Sequence, residues 1–212
     1  MSAIAVHAVL LASLETCKDH EVEIGQLDAV AGDGDHGSGM VRGFTAACSA
    51  TADLNGSTAG SITAAGYAFA DAAGGASGAL WGVFLRGIGR ELGDGDVTPS
   101  RVVAALRSGG VQIGQLGKSQ PGDKTLLDTL VPFLDALDGR VSRGMSLSQA
   151  WTDALAVARE ATEATSLMVA KRGRSAVLGE RSLGTVDPGA RSLLLVLEAV
   201  ASVIADIATR PM

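Results

Sequence analysis

The 212-residue sequence predicts an all-α fold, and three observations support this prediction. Apolar residues recur at three- and four-residue steps, the spacing of one helix face, in stretches such as VAALRSGGVQIGQL and SLLLVLEAVASVIADIA. β-Branched residues are scattered among alanines rather than alternating with polar residues, so strand signals are nearly absent. Aromatic residues make up only 3% of the chain, so Ala, Leu, Val and Ile have to form the core. Together these features indicate a helical bundle.

The periodic segments predict about eight helices within a single domain covering residues 1–212. Thr98-Pro99 and Asp187-Pro188 each place a capping side chain before a proline suited to the first helical position. Pro132 lies inside a periodic segment and predicts a kink or a break. The predicted helices lie near 2–20, 38–52, 58–73, 77–92, 99–116, 124–138, 147–171 and 189–208. The predicted glycine-rich loops are 25–37, 74–78, 117–123 and 172–188.

Charge and composition restrict the function classes. A net charge of −6 argues against a nucleic-acid surface, because phosphate backbones require a basic stripe. Cys17 and Cys48 form neither a disulfide framework nor a metal-thiolate motif. The N-terminal apolar run lacks the basic residues of a signal peptide. The apolar stretch 193–208 contains Glu198 and Asp206 and is shorter than the ~18–20 residues of a membrane span. We therefore expect a cytoplasmic protein without membrane or nucleic-acid partners.

The segment AGDGDHGSG, residues 31–39, contains the G-x-G-x-x-G pattern of dinucleotide sites. That pattern requires a preceding strand and a βαβ unit, and the sequence indicates neither, so we reject this interpretation. A P-loop around Gly117-Lys118-Ser119 would require glycine at position 112, where the chain has Gln112. The glycine patterns therefore do not define a known phosphate motif.

Three aspartates in and before this segment are candidate metal ligands. The glycines allow sharp turns that could bring Asp28, Asp33 and Asp35 together, and such a cluster requires either raised pKa values or a cation. Oxygen-only ligands favour Mg²⁺ or Ca²⁺. An EF-hand numbered from Asp33 would have Ser38 and Phe44 where glycine and glutamate are needed, so Mg²⁺ suits the set better. A surface turn rich in Asp and Gly is the alternative interpretation.

Three further stretches carry candidate anion-binding residues. GGASG, residues 74–78, places Ser77 near a helix start, where free amides can bind phosphate, although a tight helix–helix turn has the same composition. The loop at 117–125 contains two lysines. The stretch 171–190 carries basic residues that are typical of a solvated face, yet a loop of this length in a compact helical domain is more often functional or disordered.

These stretches, in this order, resemble the nucleotide-binding L subunit of dihydroxyacetone kinases. The resemblance is carried by LDAVAGDGDHGSGMVRGF, GGASGALWGVF, PGDKTLLDTLVP and AKRGRSAVLGERSLGTVDPGARS, from about residue 27 to the C-terminus. It implies an antiparallel barrel of about eight helices with ADP or ATP and two Mg²⁺ ions at one end. It also implies that Asp28, Asp33 and Asp35 bind the Mg²⁺ ions.

The resemblance further implies a set of nucleotide-binding residues, and no catalytic side chain is assigned among them. Two positions depart from the family pattern, since Gly39 replaces a frequent asparagine and Leu126 a common methionine. The first change removes a side-chain hydrogen bond, whereas the second conserves volume. The implied nucleotide-binding residues are His36, Gly37, Ser38, Gly39, Ala76, Ser77, Gly117, Leu126, Arg174, Asp187, Pro188 and Gly189.

The resemblance implies phosphoryl transfer to a small ketose such as dihydroxyacetone. The ketose would be bound covalently through a histidine on a separate K subunit, so this chain would be inactive alone. A phosphocarrier M subunit that draws on phosphoenolpyruvate would recharge a tightly held ADP. The alternatives are an ATP-dependent triose or tetrose kinase subunit, a non-catalytic nucleotide-binding regulator of a transcription activator, and a metal-dependent phosphohydrolase.

Overall fold

The computed structural model describes residues 3–52, 56–93 and 95–209, and the predicted start of the first helix at residue 2 lies outside them. Within these ranges the chain contains helices and no strand, which confirms the all-α prediction. Two short 3-10 segments, Thr165–Leu167 and Arg174–Ser182, separate the last two α-helices. The nine described α-helices are α1 (Ala3–Asp19), α2 (Glu21–Ala29), α3 (His36–Ala50), α4 (Thr58–Ala73), α5 (Gly75–Leu92), α6 (Pro99–Gly117), α7 (Leu127–Val141), α8 (Leu147–Ala164) and α9 (Pro188–Thr209).

Eight of these helices form a closed ring. Helix α1 packs on α3, each helix from α3 to α8 packs on the next one along the chain, and α9 packs back on α1. Because connections between successive neighbours are mostly short, the chain runs up and down around the ring. The barrel of about eight antiparallel helices is therefore confirmed, with α2 as an additional helix against α3 and α9.

Helix α2 corrects the prediction of a loop over 25–37. Ile24 is its buried residue and Val22 is 72% exposed, so hardly any apolar periodicity marks this helix in the sequence. The loop is consequently shorter and begins after Ala29. Asp28 lies in the last turn of α2, and α3 begins at His36 rather than at residue 38.

Two other helix predictions need correction. The helix predicted over 147–171 ends at Ala164, and the first 3-10 segment follows it directly. Pro132 lies inside α7 without ending it, so the predicted break is wrong. Since Pro132 is in the second turn of α7, it removes only one backbone hydrogen bond near the helix start.

Close helix packing explains how a barrel with so few aromatic residues is filled. A Cβ on Gly82 would lie 2.7 Å from the Cβ of Ala70, and one on Gly66 would lie 2.9 Å from the carbonyl oxygen of Gly82. Helices α4 and α5 therefore approach closely, since small residues line their contact. Cys17 and Cys48 are buried and free, which agrees with the prediction of no disulfide.

The N-terminal caps place the helices that surround the candidate site. Thr98 accepts a hydrogen bond from the backbone N–H of Arg101, and Asp187 accepts one from Ala190 at 2.8 Å, so both predicted caps are confirmed. The apolar stretch 193–208, predicted to be too short for a membrane span, lies within the 22-residue helix α9, which among the described helices alone is long and apolar enough to cross a membrane by length and composition. Its buried residues pack in the core of the barrel.

Candidate functional site

The three candidate metal ligands converge at one end of the barrel, in the loop between α2 and α3. One carboxylate oxygen from each of Asp28, Asp33 and Asp35 lies within 4.8 Å of the others. Gly34 adopts a φ of +77°, and its backbone N–H donates to Oδ2 of Asp28 at 2.9 Å. This glycine lets the chain turn back on the end of α2, because other residues rarely adopt that φ. Three clustered oxygens form a ligand set that suits a hard divalent cation.

Arg174 reaches the carboxylate cluster from the second 3-10 segment. Its Nη1 forms an ion pair with Asp33, and its Nη2 lies 3.3 Å from Oδ1 of Asp35. Hydrogen bonding to Arg174 lowers the pKa of Asp33, and the same bond raises the pKa of Arg174. The guanidinium therefore balances part of the negative charge that the three carboxylates bring together.

A cavity of about 450 Å³ lies beside this cluster. Its walls come from the end of α2 and from the N-terminal ends of α3, α5, α7 and α9, with the C-terminal end of α6 opposite. Most of the residues predicted for the site line it. They are Asp28, His36, Ala76, Ser77, Gly117, Leu126, Arg174, Asp187, Pro188 and Gly189.

A small cleft of about 20 Å³ adjoins this cavity and contains two more predicted residues, Asp35 and Gly39. It lies between the first turns of α3 and α5. The N-cap residues Asp35 and Gly74 make no side-chain cap hydrogen bond, so side chains do not satisfy the first-turn amides of either helix. Two such helix starts beside one cleft form a suitable binding site for phosphate oxygens.

Three predicted residues, Asp33, Gly37 and Ser38, line neither the cavity nor the cleft. A Cβ on Gly37 would collide with the carbonyl group of Glu21, so this glycine allows α3 to pack against α2. The hydroxyl of Ser38 donates to the carbonyl oxygen of Asp35 at 3.0 Å and accepts from Nη1 of Arg42 at 3.1 Å. Arg42 also donates to the carbonyl of Ala73, which joins the start of α3 to the end of α4.

Burial shifts the pKa values of two groups in the cavity wall. His36 is 6% exposed and its Nε2 lies 2.9 Å from Oγ of Ser192, and desolvation lowers the pKa of its imidazole. Asp187 keeps some solvent contact, yet the protein atoms around its carboxylate raise its pKa to about 7. His36 is therefore neutral near pH 7, whereas Asp187 titrates there.

The prediction from sequence missed part of the cavity wall. Leu80, Trp81, Ile113 and Leu116 form an apolar side that suits a flat heterocycle. Leu80 and Trp81 directly follow GGASG, so helical spacing after that motif could have indicated them. Lys124 and Arg172 also line the cavity; both lie in the basic stretches noted in the sequence, but neither was among the predicted site residues.

A closed helical barrel with clustered carboxylates beside two uncapped helix starts defines a class of all-α domain suited to bind a divalent cation together with phosphate. Residues 30–202 match the family model described as the DAK2 domain. The chain therefore belongs to the DAK2 domain family.

Similar proteins include both free-standing and longer kinases. The chain is 33% identical over 177 residues to the ADP-binding subunit DhaL of the PEP-dependent dihydroxyacetone kinase of Escherichia coli, covering 82% of this chain and 84% of that protein. It is 44% identical over 207 residues to an L-erythrulose kinase of Pectobacterium atrosepticum, covering 96% of this chain and 35% of that protein. It is 47% identical to an L-erythrulose 1-kinase of Mycolicibacterium smegmatis, covering 91% of this chain and 34% of that protein. The chain thus spans about a third of the length of the two erythrulose kinases.

The fold matches that of a solved kinase. A crystal structure of the dihydroxyacetone kinase from C. freundii in complex with AMP-PNP and Mg²⁺ superimposes with a TM-score of 0.73 at 28% identity. The match covers 93% of this chain and 33% of that chain. The all-α barrel is therefore the fold of one part of a longer kinase.

Proposed function

We propose that this chain is the nucleotide- and Mg²⁺-binding part of a small-ketose kinase, which passes a phosphoryl group to a ketose held on a separate K subunit. The observation that carries the proposal is the position of the Asp28, Asp33 and Asp35 cluster beside the uncapped starts of α3 and α5. A cation on those carboxylates and a phosphate on those amides would be neighbours. The apolar wall around Leu80 gives a nucleobase a place to lie.

The side chains present fit this cofactor. Asp28, Asp33 and Asp35 would hold two Mg²⁺ ions, which when bound supply the charge neutralisation that phosphoryl transfer requires. The first-turn amides of α3 and α5 orient the phosphate oxygens, and Arg174 offsets negative charge beside them. Asp187 and Pro188 line the cavity at the start of α9 and would border a bound nucleotide. No side chain of this chain needs to act as a nucleophile, because such transfers depend on positioning and charge.

The acceptor is a three- or four-carbon ketose. The relatives named erythrulose kinases are 44% and 47% identical to this chain, whereas the dihydroxyacetone kinase subunit is 33% identical. We therefore place erythrulose beside dihydroxyacetone as a candidate acceptor. The acceptor pocket belongs to the K subunit, so the identity of that partner decides between them.

Two phosphate donors are compatible with the site. A tightly held ADP can be recharged by an M subunit that draws on phosphoenolpyruvate, and the Escherichia coli relative is named as the ADP-binding subunit of a PEP-dependent kinase. In the alternative mode ATP exchanges directly from solution. Dissociation of labelled ADP from the purified protein separates them, since retention over hours supports the relay and loss within seconds supports exchange.

The proposal is tested by mixing the purified chain with a ketose-binding K subunit, Mg²⁺, ATP and either dihydroxyacetone or erythrulose. We expect ketose phosphate only when both proteins are present. ATP hydrolysis by this chain alone would indicate the phosphohydrolase alternative. Nucleotide binding without transfer, together with binding to a transcription activator, would indicate a regulator.

A further inference from the structure

The turn formed by residues 120–125 is bonded to both ends of the segment that carries Arg174. Lys124 reaches the carbonyl oxygens of Met168 and Ser182, which lie on opposite sides of that segment. Asp123 bonds to Lys171 and Arg172, just before Arg174. These contacts are separate from the helix–helix contacts that close the barrel. Their effect is to attach the segment 168–182 to the 120–125 turn.

Lys124 is an unusual residue for such a turn. It is 5% exposed, and its backbone adopts a φ of +62°, a conformation that residues other than glycine rarely take. Its Nζ donates to Met168 at 3.2 Å and also to the carbonyl of Ser182. The turn is held by Asp128, which accepts hydrogen bonds from the backbone N–H groups of Gly122 and Thr125. The Lys124 ammonium group therefore extends from a turn whose backbone is hydrogen-bonded to Asp128.

Asp123 holds the incoming side of the same segment. Its side chain is almost fully buried and accepts from Nε of Arg172 at 3.1 Å, and its carbonyl oxygen accepts from the backbone N–H of Lys171 at 3.0 Å. Nζ of Lys171 donates to the carbonyl of Gly122 at 2.8 Å. Lys171 and Arg172 are exposed to solvent, yet both also bind the 120–125 turn.

Residues 173–181 lie between the contact of Arg172 with Asp123 and the contact of Ser182 with Lys124. Gly173 and Gly179 within it adopt positive φ values of +65° and +53°, which shape the span. Arg174 lies two residues after Arg172, which is paired with Asp123, and extends to Asp33 and Asp35. We propose that Lys124 and Asp123 are positioning residues that hold Arg174 over the acidic cluster. The effect on nucleotide phosphates rests on the function proposed above, whereas the effect on the segment does not.

The first test measures the segment directly, without nucleotide or activity. Trypsin can cleave after Lys171, Arg172, Arg174 and Arg181 when the segment 168–182 detaches from the 120–125 turn. We expect cleavage there to be about tenfold faster in Lys124→Met, because the carbonyls of Met168 and Ser182 lose their common partner. Lys118→Met is the matched control, since Lys118 is exposed and lies in the preceding loop. Equal cleavage rates in the two variants would overturn the proposal.

A milder variant covers the case in which Lys124→Met does not fold. Arg172→Gln removes the ion pair with Asp123. Because the Arg172 side chain is 47% exposed, this substitution leaves no buried cavity. We expect faster cleavage after Arg174 in this variant than in wild type, and an unchanged rate of cleavage after Arg174 in the control Arg181→Gln, which lies in the exposed part of the same segment. Equal rates of cleavage after Arg174 in the two variants contradict the anchoring role.

The second test is a double-mutant cycle on Mg²⁺–ADP affinity. If Lys124 acts through Arg174, then Arg174→Gln weakens binding about tenfold in the wild type but less than about twofold in Lys124→Met. Additive losses would overturn the proposal and indicate that Lys124, which also lines the cavity, contacts the nucleotide itself. If the wild type binds no ADP, the proposed function fails, while the trypsin measurement still decides the anchoring role.

Discussion

Nη2 of Arg174 lies 3.3 Å from Oδ1 of Asp35, although 139 residues separate them along the chain. The same guanidinium pairs with Asp33, so one side chain contacts two of the three clustered carboxylates and offsets part of their charge. Under the proposed function these carboxylates also bind the cation, and Arg174 then competes with the metal for the same oxygens. Bound phosphate offers Arg174 another partner, so metal and nucleotide would release it together.

Replacing Arg174 should therefore change metal and nucleotide affinity in opposite directions. For Arg174→Gln we expect nucleotide-free protein to bind Mn²⁺ about tenfold more tightly, because a positive charge next to the ligands is removed. Mg²⁺–ADP should bind more weakly, because a charge-assisted hydrogen bond to phosphate is lost. Titration calorimetry measures both affinities, with Arg181→Gln as the control. Weaker binding of both ligands would show that Arg174 only maintains the shape of the site.

The acidic cluster should be required for nucleotide binding. Asp33→Asn and Asp35→Asn remove charge while retaining size, and each should weaken Mg²⁺–ADP binding by about tenfold or more, because a carboxylate ligand becomes a weak neutral one. Asp71→Asn changes an exposed carboxylate on α4 and should have no effect. ADP affinity measured with and without Mg²⁺ provides the readout. Tight, metal-dependent binding that survives both substitutions at the cluster would refute the ligand assignment.

The sequence predicted the barrel and the acidic cluster because both depend on local patterns. Apolar periodicity marks seven of the eight ring helices closely, and Asp28, Asp33 and Asp35 are within eight residues of each other. Helix α2 was missed because only Ile24 on it is buried, so its stability comes from packing against α3 and α9 rather than from an amphipathic pattern.

The contacts of Asp123 and Lys124 with the segment 168–182 were also not predicted from the sequence, but the reason is different. Lys124 and Ser182 are 58 residues apart, and Asp123 and Arg172 are 49 apart. No periodicity or spacing connects such pairs, and a basic run like that at 171–174 is usually a solvated face. Tertiary packing alone reveals that two of these cations bind the preceding turn and one reaches the acidic cluster.

Gly39 and Gly37 should respond oppositely to substitution. A Cβ on Gly39 would find no atom closer than 3.7 Å, so the Cβ of Gly39→Asn requires no backbone shift. Its amide would enter the cleft between α3 and α5, and one added hydrogen bond to phosphate should tighten Mg²⁺–ADP binding about fivefold. Gly37→Ala forces α3 away from the backbone of Glu21 and should lower the free energy of unfolding by about 1–3 kcal/mol. Urea unfolding and ADP titration of both variants provide the measurements, and looser ADP binding by Gly39→Asn would contradict the expected contact.

The carboxylate of Asp187 should make stability depend on pH. Desolvation raises its pKa to about 7, only partly offset by the N–H of Ala190 and by the charge of Lys124. An unfolded chain has an aspartate pKa near ~3.9, so the folded state binds this proton more tightly. The stabilisation from that proton is complete below about pH 4 and is lost as pH rises through about 7. Asp187→Asn keeps a cap oxygen for Ala190 and does not titrate.

In nucleotide- and metal-free protein, we therefore expect Asp187→Asn to gain stability relative to wild type as the pH rises from 5 to 8, by about 1–3 kcal/mol in total. Urea unfolding at intervals of one pH unit measures the difference. Asp71→Asn, which replaces an exposed carboxylate on α4, is the control for the loss of a carboxylate as such. A constant difference between Asp187→Asn and wild type would contradict the raised pKa, since a carboxylate that is ionised throughout contributes no slope between pH 5 and 8.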